Sequence, residues 1–116
     1  MNVKNQTDLF LQQPSGAIFS KHRNYRYVLW RIWDNDLTKI MFIGLNPSTA
    51  NEADDDATMR RVKSFAKSFG YGGVYMLNLF AFITKKPKIL QQCKNPIGDS
   101  NFYLKQYAGK SDKGCQ

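Results

Sequence analysis

The stretch Thr38-Lys39-Ile40-Met41-Phe42-Ile43-Gly44-Leu45-Asn46-Pro47-Ser48-Thr49-Ala50 decides how this chain is read. Residues 38–43 form a mostly apolar run, which predicts a strand buried on both faces. Gly44 to Ala50 breaks that strand, and a helix follows. Met59, Val62, Phe65, Ala66 and Phe69 recur at offsets of 0, 3, 6, 7 and 10, which is one helical face. Asp54, Asp55 and Asp56 stand near its N-terminus, where the helix dipole favours negative charge and a side chain can cap the backbone. Gly70 takes the position just past its end. After Gly72-Gly73 comes Val74-Tyr75-Met76-Leu77-Asn78-Leu79-Phe80, a continuous apolar strand interrupted only by Asn78. Strand, helix and strand in that order predict a βαβ unit with parallel strands.

Upstream, Ala17-Ile18-Phe19 reads as a short strand and Tyr25 to Trp33 as a strong one, with aromatic and β-branched residues between arginines. Asp34-Asn35-Asp36 is a turn cluster, so 25–33 and 38–43 are expected to pair as an N-terminal hairpin. Downstream, a helix is expected from Lys85-Lys86-Pro87-Lys88 through Cys93, a loop at Asn95 to Gly98, and a further helix over Asn101 to Tyr107. The expected organisation is a polar arm over 1–16, one α/β domain over 17–108 and a frayed tail over 109–116. The fold class expected is a small three-layer α/β/α-type domain with a βαβ core.

Composition narrows the function classes. The chain of 116 residues carries 17 Lys+Arg against 9 Asp+Glu, a net charge of +8. The excess sits at the ends: residues 1–50 are net +3, 51–83 neutral and 84–116 net +5. A polyanionic partner, nucleic acid or nucleotide, would exploit it. No apolar run approaches the ~18–20 residues of a membrane span, and no secretory signal opens the chain. A cytoplasmic, non-membrane protein is expected. Two cysteines, Cys93 and Cys115, and one histidine, His22, give neither a zinc pattern nor a nucleophile elbow. No metal or other cofactor is expected.

In open α/β sheets ligands bind at the carboxyl ends of the strands. Both strands of the βαβ unit carry an asparagine there, Asn46 and Asn78. Asn46 can orient a water although it is no general base; it can equally form an Asx-turn before Pro47. Asn78 must satisfy a buried amide, through a neighbouring loop or through the edge of a nucleobase. Gly44, Pro47, Ser48 and Thr49 complete a loop able to hold a ligand. Glu52, Asp54, Asp55 and Asp56 could bind Mg²⁺ or serve as helix-terminal charge, and Asp55 or Asp56 could act as a general base. Arg26, Arg60 and Arg61 are candidates for phosphate, the latter two also for ion pairs with the aspartates. Tyr25, Tyr27, Trp30 and Trp33 interleave with Arg26 and Arg31 as a stacking surface would, or as one buried face of a sheet would.

The blocks Tyr25-Arg26-Tyr27, Gly44 to Ala50, Asp55-Asp56, Thr58, Arg60-Arg61, Phe69 to Gly73, Asn78-Leu79-Phe80-Ala81 and Pro96-Ile97-Gly98 resemble the domain-of-unknown-function 1643 family of bacteria and their phages. The resemblance covers roughly residues 17–104. Members of that family usually continue past the Pro96-Ile97-Gly98 segment into a strand ending in Trp-Gly, so a C-terminally truncated member is expected. The Gly44-Leu45-Asn46-Pro47 block also resembles the first motif of the mismatch-specific branch of the uracil-DNA glycosylase superfamily. That resemblance implies a glycosylase-like fold, with Asn46 positioning the attacking water and Asn78 reading the base. It implies hydrolysis of an N-glycosidic bond. The alternatives are a non-catalytic basic nucleic-acid-binding module and an inactive family member.

Overall fold

The strand Gly73–Asn78 (β4) is buried along its whole length, and the sheet forms around it. In the computed structural model, which describes residues 14–111, four strands lie in the order β1-β2-β4-β3. They are Ser15–Phe19 (β1), Arg26–Ile32 (β2), Lys39–Gly44 (β3) and β4. β1 and β2 form an antiparallel hairpin, β2 pairs antiparallel with β4, and β3 pairs parallel with β4. Three helices complete the described residues: Ala57–Ser68 (α1), Pro87–Gln92 (α2) and Ser100–Ser111 (α3).

The βαβ unit β3-α1-β4 is as the pattern predicts, with Gly44 opposite Asn78 at the end of the ladder. The expected hairpin between 25–33 and 38–43 does not form. β4 lies between those strands, and the N-terminal hairpin is β1–β2 instead. β4 presents no side chain that tolerates an edge, so it takes the central place with a partner on each side. The strand at 38–43 is correspondingly the sheet's edge and only half-buried, with Ile43 51% exposed. Its connection from β2 crosses the start of β4. There the N–H groups of Trp33 and Asp34 both donate to Gly72 O, and the Gly72 N–H donates to Thr38 O.

One face of the sheet packs on α1 through Leu29, Val74, Met76, Met59 and Ala66. The other face packs on α3 through Tyr27, Val28, Trp30, Leu77 and Tyr107, with Tyr27 stacked on Tyr103 at 4.8 Å. The aromatic and basic side chains of β2 are therefore buried, and no exposed stacking surface forms from Tyr27, Trp30, Arg26 and Arg31. Phe65 and Phe69, expected on the buried face of α1, are largely exposed because the helix overhangs the edge strand; Phe65 meets Phe42 edge-on at 5.6 Å. The expected arm 1–16 lies mostly, and the tail 109–116 partly, outside the described residues. No helix among the described residues is long and apolar enough to cross a membrane.

Both ends of α1 are closed by its own sequence. The Met59 N–H donates to Oδ1 of Asp56, the N-cap residue, at 2.8 Å. At the other end Gly70 has φ +83°, Gly70 N–H donates to Lys67 O and Tyr71 N–H to Ala66 O, a Schellman turn. Gly70→Ala places a Cβ in the left-handed region and is expected to lower stability by about 1–2 kcal/mol; urea unfolding at constant pH measures it.

Candidate functional site

The side chains that converge do so where β3 and β4 end and α1 begins. A pocket opens there with Leu29, Pro47, Met59 and Met76 as its apolar floor. Its polar lining is Arg26, Asn46, Ser48, Asp56, Thr58 and Asn78. It is a concavity of about 290 Å³ that opens to solvent.

Asn46 and Asn78 thus face one pocket. The Asn46 amide donates both ways, to Thr84 O at 2.7 Å and to Pro47 O at 3.2 Å. Those bonds hold its Oδ1 as the remaining acceptor. Asn78 is 3% exposed and its Oδ1 accepts from Arg26 Nη2 at a long 3.5 Å. Its amide fits only because residue 44 is glycine: a Cβ at Gly44 would stand 2.8 Å from Asn78 Nδ2. The parallel register that pairs Gly44 with Asn78 explains the spacing of the two motifs.

Arg26 reaches the pocket through an irregularity in the sheet. Ile18 pairs with Val28 but Phe19 pairs with Arg26, so Tyr27 is an extra residue in β2. With strict alternation Arg26 would share a face with Val28. The bulge puts Tyr27 and Val28 together on the α3 face and turns Arg26 to the α1 face beside Leu29. There Arg26 is 3% exposed. Its Nη1 donates to Ala50 O at 3.1 Å, while Nε has no acceptor. Burial pulls its pKa down to about 10, opposed by the nearby charge of Asp56 and reinforced by that of Arg31.

The other acidic and basic candidates lie outside this lining. Asp55 is clamped between Arg31 Nε at 2.9 Å and Lys63 Nζ at 2.8 Å. Asp54 accepts from Asn51 Nδ2, so the three aspartates turn to three different partners. Among the described residues no group of three His, Cys, Asp or Glu is placed to hold a metal. Arg60 donates to Asp55 O, and both Arg60 and Arg61 are exposed. Thr49 is exposed beside the pocket. Thr58, Leu29, Met59 and Met76 line the pocket without having been singled out as site residues. For Thr58 the signal was there, a hydroxyl two residues past the N-cap; the apolar three read simply as core.

Over residues 26–113 the chain matches the family described as Protein of unknown function (DUF1643). The chain belongs to that family. Its matched segment contains every polar residue of the pocket, from Arg26 to Asn78. No curated protein and no solved structure matches the chain.

Burial pushes the Asp55 carboxyl up, but the bonds from Lys63 and Arg31 outweigh it and hold it below the ordinary value. The Glu52 carboxyl, bonded by Arg23, falls to about 2. A carboxyl depressed on folding stabilises the fold above its unfolded value and loses that contribution as pH falls through its folded value. The melting temperature is therefore expected to hold above about pH 5 and to drop below it chiefly through Asp55, since the Arg23–Glu52 pair is exposed and screened. Asp55→Asn should cost about 3 kcal/mol at neutral pH, because it leaves Arg31 without its counter-ion, and should make the acid limb shallower; melts across the pH series read both.

Proposed function

We propose that this pocket binds a nucleobase or nucleotide and that the domain hydrolyses an N-glycosidic bond. The observation that carries the reading is the convergence of Asn46 and Asn78 on one pocket at the carboxyl end of parallel strands. Asn78 presents an amide whose donor and acceptor pattern matches a base edge. Asn46, with both amide hydrogens committed, offers Oδ1 as a pre-oriented acceptor for a water O–H. Glycosidic cleavage with an oxocarbenium-like transition state asks little more of the nucleophile than position. In this reading Asp56, on the same lining, is the carboxylate that accepts the water's proton. The resemblance of the Gly44-Leu45-Asn46-Pro47 block to the glycosylase first motif supports the same roles.

Asn46→Ala is expected to reduce hydrolysis by at least about 100-fold with substrate affinity nearly unchanged. Asn78→Ala should weaken binding of the base instead. A panel of modified and mismatched bases in duplex DNA, together with free nucleosides and nucleotides, tests both by release of free base. No release from any member of the panel overturns the enzymatic reading.

One observation favours a second reading, a basic nucleic-acid-binding module. Lys85, Lys86, Lys88 and Lys94 are all exposed around α2, away from any carboxylate partner among the described residues. That reading expects affinity for a DNA or RNA duplex to fall steeply with salt, on the order of 10-fold or more between about 50 and 200 mM. Fluorescence anisotropy across a salt series checks it, and a flat series rejects it.

A further inference from the structure

Two arginines of β2 point to the α1 face, and they are bonded very differently. Arg31 spends its donors inside the protein, on Asp55 Oδ1, Asn51 O, Asp54 O and Trp30 O. Arg26 is as deeply buried yet touches no carboxylate. Its firm bond is Nη1 to Ala50 O. Nε has no acceptor and Nη2 has only the 3.5 Å contact with Asn78 Oδ1. Nε and Nη2 form one edge of the planar guanidinium, the edge that grips a carboxylate or phosphate side-on with two parallel bonds. A buried charge is costly unless anions compensate it, and here only Asp56, which makes no hydrogen bond to Arg26, lies near.

The surroundings suit a compact oxyanion. Ser48 and Thr58 bring hydroxyl donors to the same lining. The pocket also meets the start of α1, whose dipole favours negative charge although the Met59 N–H there is already capped by Asp56. Asp56 works against an anion: its Oδ1 accepts from the Met59 N–H, but the carboxylate keeps its charge. The depth of Arg26 selects the form of the anion. A phosphodiester inside a strand carries chain on both sides and cannot bring its oxygens to a group 3% exposed at the bottom of a pocket. A terminal group can.

We infer that the pocket takes a terminal phosphate monoester on the Nε–Nη2 edge of Arg26, and that its ligand is a nucleoside monophosphate. This rests on the nucleotide reading above and adds the substrate class. Ser48 and Thr58 complete the phosphate's donors, and the nucleoside extends from it through the side of the pocket that opens to solvent.

The test is equilibrium binding to the full chain by calorimetry. The probes are the nucleoside monophosphates, the matching nucleosides, inorganic phosphate, and a short single-stranded oligonucleotide with and without a 5′-phosphate. A monophosphate is expected to bind at least about 10-fold tighter than its nucleoside, a preference lost in Arg26→Met. If that variant does not fold, as its melt will show, the monophosphate-to-nucleoside ratio of the unaltered chain decides alone. Equal binding of nucleoside and monophosphate overturns the phosphate site and leaves the base reading intact. Binding of inorganic phosphate as tight as any nucleotide keeps the anion site and removes the base. A preference shown only by the 5′-phosphorylated oligonucleotide keeps the terminal phosphate and overturns the free nucleotide. No binding by any probe overturns both readings.

Discussion

A strand with no exposed side of its own governs this fold. β4 is buried from Gly73 to Asn78, so it needs a hydrogen-bonded neighbour on each edge and a helix over each face. β2 and β3 supply the edges, α1 and α3 the faces. Because β3 and β4 run parallel, the chain must return between them through a crossover, and α1 is that crossover. The parallel register then brings Gly44 against Asn78 and the Asn46 loop above the strand ends. The pocket is a by-product of closing the two edges and faces of one apolar strand.

The segment linking β3 to α1 has little regular structure of its own, and arginines hold it in place. Arg26 and Arg31 bond the carbonyls of Ala50, Asn51 and Asp54, while Arg23 pairs with Glu52 at 2.8 Å and the Ser15 hydroxyl donates to Glu52 O. These contacts satisfy loop carbonyls that would otherwise be left without partners near the core. Their values differ with exposure. The Arg23–Glu52 pair sits in solvent and contributes little, whereas the Arg31–Asp55 pair is shielded by the loop it anchors. Of these three arginines Arg26 alone has a buried donor, Nε, without an acceptor, and it is the one that lines the pocket.

Part of the pocket's lining is legible in the sequence. Asn46 and Asn78 stood out because a polar residue at the end of an apolar strand has to find a partner, and both reach the pocket. Asp56 and Gly70 follow from rules of helix termination that act within a few residues. The reading of Asp55 as a site residue shows where local chemistry stops being informative. Neighbouring aspartates look alike in sequence, but helix geometry turns one to a backbone N–H while tertiary packing hands the next to Arg31 and Lys63.

By itself the sequence determined the elements, the βαβ unit and the pair of asparagines, because apolar periodicity and terminal residues act locally. Sheet order was beyond it. An apolar run at 38–43 reads the same in an edge strand as in a central one, and only the competition with β4 for burial puts β3 outside. The aim of Arg26 was equally hidden. Strict alternation assigns it to the wrong face, and the extra residue at Tyr27, created by how β1 pairs with β2, turns the guanidinium into the pocket. A bulge is a property of two strands together, so it exists only once the tertiary structure has paired them.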